Sequence, residues 1–382
     1  MRKIGCFILV MILLLGLLPR QAQAVELDVA GKSALLMDAA TGKILYEKNA
    51  HEKLAPASVT KVMTMLLIME AIDSGKIGWD DTVTASETAA AKGGSQIYLK
   101  VGETMTVEDM VKSIAVSSAN DCACAMAEHI AGSETAFVAM MNTRAEELGM
   151  QDTHFVNCTG LDDEAAAKEH LTSAHDIAIM SRELLTKHPD IKKFTTIWMD
   201  TVRDGSFGLS NTNKLVRFYQ GCTGLKTGFT SSAGYCLSAS ASRDGMELIA
   251  VVLGAESSQD RFQACKQMLD YGFANYALVT PQLQETPTVS VKLGTETMVT
   301  AVAAEQLQCL VDKAQRGDVS TQIQLEKEVT APVSQGQKLG TLTIKVGDQV
   351  LAQVSLVAEK AVARRSWRQI FLDLLRKITM AA

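Results

Sequence analysis

The stretch Pro56-Ala57-Ser58-Val59-Thr60-Lys61-Val62-Met63-Thr64-Met65-Leu66-Leu67-Ile68-Met69-Glu70-Ala71-Ile72 decides how the chain is read. Pro56 suits a helix start, because its missing N–H costs nothing there. From Val62 on, only Thr64 and Glu70 interrupt an apolar surface that runs nearly all round, and a helix greasy on every side belongs in a core. It is too short, and too closely flanked by charge, to cross a bilayer. A lysine at the entrance to such a helix is out of place as a surface residue. Ser58 lies near the free N–H groups and positive end of the helix, and Lys61, three residues on, shares its face. A serine hydroxyl is a weak nucleophile until a base removes its proton. A lysine held in a dry pocket can shed its charge and be that base. Alone, the pair would read as a cap-region serine and a solvent-facing lysine.

Two further motifs follow once each, in order. Ser118-Ala119-Asn120 sits between the apolar runs at residues 114–116 and 122–126, where buried polar groups need partners. Ser118 suits a proton relay, and Asn120 suits orientation of Lys61 or of a substrate amide. An ordinary helix cap at Ser118 is the plain alternative. Lys226-Thr227-Gly228 follows Gly221 and Gly224 and precedes a hairpin. A glycine on a strand edge lets a substrate backbone come close. Lys226 adds positive field, and Thr227 adds a hydroxyl for a carboxylate. The plain alternative is a turn.

Around these motifs, residues 33–38 and 43–48 read as strands joined at Thr41-Gly42. Residues 80–160 read as mostly helical, with Thr106 capping toward Asp109. A helix is expected over 170–185, a hairpin with arms 235–242 and 246–254 across Arg243-Asp244-Gly245, and a helix over 259–276. Strands at both ends of a helical middle predict an α/β layered domain with a helical insertion. Beyond Pro281 and Pro287, short alternating segments at 288–292, 319–325, 339–346 and 350–357 predict a small all-β domain. It carries no motif with chemistry, so a spacer or interaction module is its reading.

The ends are informative. Arg2 and Lys3, an apolar run over 4–18 and Ala22-Gln23-Ala24 predict a secretory signal peptide cut after Ala24. An uncleaved anchor is the alternative, but the apolar core is short for a span. Cys6 lies too early for a lipoprotein signal. From Arg364, the residues Trp367, Ile370, Phe371, Leu374, Leu375 and Ile378 form one helical stripe. Arg364, Arg365, Arg368, Arg376 and Lys377 stand opposite, against Asp373 alone. That pattern predicts a helix lying on a membrane surface; docking on its own domain or in an oligomer is the alternative. The expected organisation is a signal at 1–24, a catalytic domain at 25–280, a β-rich domain at 281–360 and an amphipathic anchor at 361–382.

The net charge of -6 gives no footing for nucleic-acid binding by the whole chain. Eight cysteines leave seven after the signal, an odd number that cannot pair fully. Most sit among small or apolar residues and behave as small hydrophobes. Cys122-Ala123-Cys124 lacks a second ligand pair, and His170 and His175 are not at helical metal spacing, so no metal site is expected. The two histidines read as hydrogen-bonded structural residues. No cofactor is called for.

Pro56 to Lys61, Ser118-Ala119-Asn120-Asp121 and Thr223-Gly224-Leu225-Lys226-Thr227-Gly228 together resemble the D-alanyl-D-alanine carboxypeptidases, the low-molecular-mass penicillin-binding proteins of the bacterial envelope, and among them the sporulation-type enzymes of Gram-positive bacteria. The likeness extends to Asn157-Cys158-Thr159-Gly160-Leu161, to the stretch from Thr172 to Ala178, and to Arg243-Asp244-Gly245. It implies a serine β-lactamase/transpeptidase-like α/β domain, an antiparallel sheet with helices plus a helical subdomain, followed by the β domain and terminal helix. It implies removal of the terminal D-alanine of peptidoglycan stem pentapeptides through an acyl-enzyme on Ser58, with β-lactams as covalent inhibitors. By the same resemblance, Lys61 is the base and Ser118 the proton donor to the leaving D-alanine. Asn120, Lys226, Thr227, Gly228 and Arg261 bind substrate, and the backbone N–H groups of Ser58 and Phe229 form the oxyanion hole. Such an enzyme works outside the cell, at the outer face of the cytoplasmic membrane or in the wall space. Ala119 replaces a commoner Gly, and Phe229 stands where some relatives have His or Ser; neither change removes a reacting group.

Two other readings compete. A class A β-lactamase shares the serine, lysine and Lys-Thr-Gly logic, but adds a deacylating glutamate and a Ser-Asp-Asn triplet. Here the triplet has Ala119, and Asp162-Asp163-Glu164 lacks a partner Asn. A non-catalytic envelope-binding protein on the same fold is the second, and the intact Ser58, Lys61, Ser118 and Lys226 argue against it.

Overall fold

A computed structural model describes residues 27–163, 165–280, 286–305 and 308–372. The signal peptide expected at 1–24, Glu164, and the helix positions Asp373, Leu374, Leu375, Arg376, Lys377 and Ile378 lie outside them.

The sheet that carries the site has five antiparallel strands. They are β1 (Ser33–Asp38), β2 (Ile44–Lys48), β3 (Cys222–Thr230), β4 (Gly234–Arg243) and β5 (Met246–Ala255), in the spatial order β2-β1-β5-β4-β3. Every residue of β1 is buried, which is why Ser-Ala-Leu-Leu-Met-Asp does not alternate: the strand is covered on both faces. β4 and β5 form the expected hairpin, paired from Arg243 and Met246 outward.

On one face lies a helical layer: α1 (Lys61–Asp73), α2 (Val107–Ser117), α3 (Asn120–Ala131), α4 (Glu134–Glu147) and α5 (Ala174–Lys187). Met63, Met65, Leu66, Ile68 and Met69 of α1 are wholly buried in its core. At about 1.5–3 kcal/mol for each such side chain, this helix anchors the layer. On the other face α6 (Ser258–Asn275) packs Ala264, Cys265, Met268 and Leu269 against Leu237, Leu248 and Val252. The result is the α/β architecture predicted from the sequence.

Local differences have physical causes. The Pro56 helix opens not as α-helix but as a 3₁₀ turn over Ala57–Thr60, with Ala57 at φ +48°. The helix expected over 170–185 begins at Ala174. Ser173 caps it by accepting from the Asp176 N–H, while Leu171 and Thr172 are drawn into β-bridges with His154 and Leu54. The helical stretch over 80–160 is interrupted by a short hairpin, Thr82–Thr84 with Thr104–Thr106. The Thr106 cap on Asp109 is present.

After α6 the chain forms β6 (Tyr276–Val279), β7 (Thr288–Lys292), β8 (Met298–Ala303), β9 (Cys309–Asp312), β10 (Val319–Leu325), β11 (Glu328–Thr330), β12 (Lys338–Val346) and β13 (Gln349–Ala358). Six of them form one sheet in the order β10-β12-β13-β8-β7-β11 around Val289, Val299, Leu339, Leu342, Ile344 and Leu356. The short strands β6, β8, β9 and β11 carry little alternation and were not legible. β9 returns to pair with β6, tying the two regions together. Residues 367–372 are helical, with Trp367, Phe371 and Leu372 exposed. All seven described cysteines are free thiols, and all but Cys222 are buried.

Candidate active site

Ser58, Lys61, Asn120 and Lys226 come from four elements, the first two of them continuous in the chain. The 3₁₀ turn presents Ser58, half-buried, and hands over to α1 at Lys61. Lys61 is 0% exposed. Its Nζ lies 2.5 Å from Asn120 Oδ1, 2.8 Å from the Thr159 carbonyl and 3.0 Å from Ser58 Oγ. The amide oxygen and the carbonyl can only accept, so they take two of its N–H groups. The third tetrahedral direction faces Ser58. When the amine is neutral, that direction is a lone pair aimed at the hydroxyl proton. Burial pushes the Lys61 pKa down to about 7, with Cys158 and Asp121 opposing.

The supports of this cradle are polar and local. Asn120 opens α3; its Nδ2 donates to the Gly93 carbonyl and its backbone N–H to the Ser95 carbonyl. The buried carboxylate of Asp121 accepts from the N–H groups of Ile97, Leu99 and Cys122. Asn157 Oδ1 accepts from Thr159 N and Gly160 N, which fixes the turn that aims the Thr159 carbonyl. Ser118 ends α2 in a left-handed conformation, φ +63°. It is 3% exposed, and its hydroxyl has no hydrogen-bond partner among the described residues.

Lys226-Thr227-Gly228 lies inside β3, the edge strand of the sheet, and not in a turn. Gly228 touches the nucleophile turn: a Cβ there would lie 2.5 Å from the Pro56 carbonyl oxygen and 3.1 Å from Ser58 N. Lys226 is buried, and its Nζ donates to the Thr227 carbonyl. Its pKa is driven well below the ordinary lysine value, first by burial and then by the charges of Lys61 and Arg261. Thr227 Oγ1 donates to Thr212 Oγ1 at 2.6 Å. Arg261, on α6, donates Nη1 to the carbonyls of Gly228 (2.7 Å) and Cys236 (3.2 Å), and its buried Nε has no partner among the described residues. Phe229 is 52% exposed and stacks on its cross-strand neighbour Tyr235 at 4.3 Å. Among the described residues no carboxylate pairs with Lys226 or Arg261, so the cations form a site complementary to an anion.

His170 is buried and hydrogen-bonded to Thr60 Oγ1 and the Val156 N–H. His175 meets Asp176 and stacks on His51. Thr159, Thr212 and Asp121 carried no role in the sequence reading. The Thr159 contribution is a main-chain atom and has no residue signature. Thr212 sits in the polar run Asn211-Thr212-Asn213, outside any motif. The signal that could have found Asp121 is a carboxylate set between Asn120 and the apolar run from Cys122.

A family model described as D-alanyl-D-alanine carboxypeptidase matches residues 20–257, and one described as penicillin-binding protein 5, C-terminal domain, matches residues 280–364. The chain is 46% identical over 341 residues to D-alanyl-D-alanine carboxypeptidase DacF of Bacillus subtilis, covering 88% of this chain and 86% of that one. The crystal structure of penicillin binding protein 5 from Haemophilus influenzae is similar with a TM-score of 0.76 and 30% identity, over 88% of this chain and 98% of that one. Penicillin-binding protein D2 of Listeria monocytogenes in its ampicillin-bound form is similar with a TM-score of 0.59 and 32% identity, over 65% of this chain and 99% of that one. With the Ser58–Lys61–Asn120 cradle facing a Lys226-Thr227-Gly228 strand, the chain belongs to the D-alanyl-D-alanine carboxypeptidase family of serine penicillin-binding proteins.

Proposed function

We propose that this protein is a serine-type D-Ala-D-Ala carboxypeptidase that removes the terminal D-alanine from peptidoglycan stem pentapeptides. The observation that carries the reading is the contact between Ser58 Oγ and a Lys61 amine whose other two directions are taken by fixed acceptors. Ser58 Oγ attacks the carbonyl carbon of the penultimate D-alanine, and its proton passes to Lys61 Nζ. The negative oxygen that forms is held by the N–H groups of Ser58 and Phe229. Ser118 relays the proton from Lys61 to the departing amine, which leaves Lys61 neutral again, so D-alanine leaves and an ester on Ser58 remains. Water then attacks the ester and regenerates the hydroxyl. Asn120 orients Lys61. Lys226 and Thr227 receive the substrate's terminal carboxylate, and Arg261 supports that region through the Gly228 carbonyl while adding positive field. Gly228 supplies the room for substrate backbone beside Ser58.

A β-lactam presents a strained amide in place of the D-Ala-D-Ala bond and acylates the same oxygen. The protein acts outside the cell, delivered by the leader at 1–24 and held at the membrane surface by the basic amphipathic helix beginning near Arg364. Support for the last point is the exposure of Trp367, Phe371 and Leu372 on residues 367–372. Among the described residues no helix is long and apolar enough to cross a membrane.

Mass spectrometry of a stem pentapeptide ending in D-Ala-D-Ala, incubated with the purified protein, tests the reading. Loss of one alanine, absent with Ser58→Ala, is expected. Cleavage that persists unchanged in Ser58→Ala would remove the proposed nucleophile, and a new amide product would make transfer the main reaction.

A further inference from the structure

Thr60 lies between the nucleophile and the base, yet its side chain touches neither. Its hydroxyl donates to the Ala57 carbonyl at 2.8 Å and meets His170 Nε2 at 2.8 Å. The other ring nitrogen, His170 Nδ1, accepts from the Val156 N–H at 3.0 Å. An imidazole nitrogen that accepts carries no proton, so the ring proton is on Nε2. The directions are therefore fixed along the chain. Val156 N–H donates to His170, His170 Nε2–H donates to Thr60, and Thr60 O–H donates to the Ala57 carbonyl.

The Ala57 carbonyl belongs to the peptide that ends in the Ser58 N–H. That unit is planar and trans, so its C=O and N–H point in opposite directions. Whatever holds the carbonyl aims the N–H. The peptide needs holding, because Ala57 sits at φ +48°, a left-handed conformation that residues with a Cβ disfavour. Gly160 lies against the same carbonyl, beside the Thr60 hydroxyl. A Cβ on it would lie 1.9 Å from the Ala57 oxygen and 2.7 Å from Thr60 Oγ1. Among the described residues, the Ser58 N–H has no acceptor of its own.

We infer that His170 and Thr60 are positioning residues. They act through the Ala57–Ser58 peptide, holding its carbonyl so that the Ser58 N–H is preorganised to receive the developing oxyanion. The inference rests on the reading of Ser58 as the acylated nucleophile. The relay shares no atom with the Lys61 cradle. It serves transition-state stabilisation and not base strength.

The test is the second-order rate of acylation by benzylpenicillin, normalised to sites that can be titrated to completion, for wild type, Thr60→Val, Thr60→Ser, His170→Leu and His170→Gln. Ser restores the hydroxyl, and Gln can both donate to Thr60 and accept from Val156. Thr60→Val and His170→Leu are expected to acylate roughly 10- to 100-fold more slowly, less than the loss seen when an oxyanion donor is removed outright. Thr60→Ser and His170→Gln are expected to recover most of the rate. The Val and Leu losses combined in one protein are expected to be far less than multiplicative, since they break one chain. The acid limb of the pH profile, set by Lys61, should stay where it is in all four. Titrated Thr60→Val that acylates at the wild-type rate, or a shifted acid limb accounting for the whole loss, would overturn the inference. If wild type is acylated at a residue other than Ser58, the functional reading fails and takes the inference with it.

Discussion

Lys61 and Asn120, 59 positions apart in the chain, meet at 2.5 Å between Nζ and Oδ1. The contact joins the first residue of α1 to the first residue of α3, and it ties the base to a side chain that cannot carry charge. An amide there stabilises either form of the amine; a carboxylate would favour the ammonium.

Asn120→Asp is therefore expected to raise the Lys61 pKa from about 7, by roughly 1–3 units for a buried opposite charge in contact. A base must be neutral to accept a proton, so kcat/KM at pH 7 should fall by roughly 5- to 500-fold across that range and recover as the pH is raised. A pH profile of peptide cleavage checks this; an acid limb that does not move contradicts it.

The same lysine makes stability depend on pH. Its folded pKa lies below the unfolded value of 10.5, so between about 7 and 10.5 the unfolded chain binds one more proton. Stability must rise with pH through that window, by up to about 1.4 kcal/mol per unit from this group. Lys61→Met should abolish cleavage and flatten the slope of unfolding free energy between pH 7 and 9.5. Urea denaturation of the two proteins reads the difference, and equal slopes would contradict it.

Gly228→Ala places a methyl 2.5 Å from the Pro56 carbonyl oxygen and 3.1 Å from Ser58 N. The strand must back away from the nucleophile turn. A loss of about 1–3 kcal/mol in stability is expected, together with acylation slowed at least tenfold, since a displacement of this kind spoils attack geometry. Gly245→Ala, with open space around it, is a matched control on the neighbouring hairpin. It should strain its turn without slowing acylation; equal slowing in both would contradict the account.

The terminal helix is expected to bind the full chain to vesicles rich in anionic lipid. Added salt should weaken that binding, because cationic attraction is screened within about 8–10 Å at physiological ionic strength. A chain ending at Ala363 should remain in the supernatant on co-sedimentation while cleaving soluble pentapeptide normally. Vesicle binding by the shortened chain would contradict the anchor.

Much of this site was legible because its side chains break local rules. A lysine heading an apolar helix, a polar triplet between greasy runs and a glycine after Lys-Thr are each at odds with plain packing, and such conflicts gather where chemistry is done. The hairpin β4–β5 was legible from two β-branched arms around Arg243-Asp244-Gly245. The start of α5 was not, because His170, Leu171 and Thr172 have ordinary helical composition and are taken by long-range bridges to His154 and Leu54. The Thr159 carbonyl and the left-handed Ala57 were not legible either. The first is main chain, and the second sits in a turn whose carbonyl is held by the Thr60 hydroxyl and crowded by Gly160, 103 positions on, which no local pattern announces.

Acylation by benzylpenicillin, followed by intact mass and peptide mapping from pH 5 to 9, reads at once which residue is the nucleophile and whether Lys61 is its base. The account predicts one adduct, on Ser58, with a rate that rises through about pH 7 and is lost in both Ser58→Ala and Lys61→Met. An adduct on another residue, or a Ser58 adduct forming at a rate independent of pH and of Lys61, would contradict it.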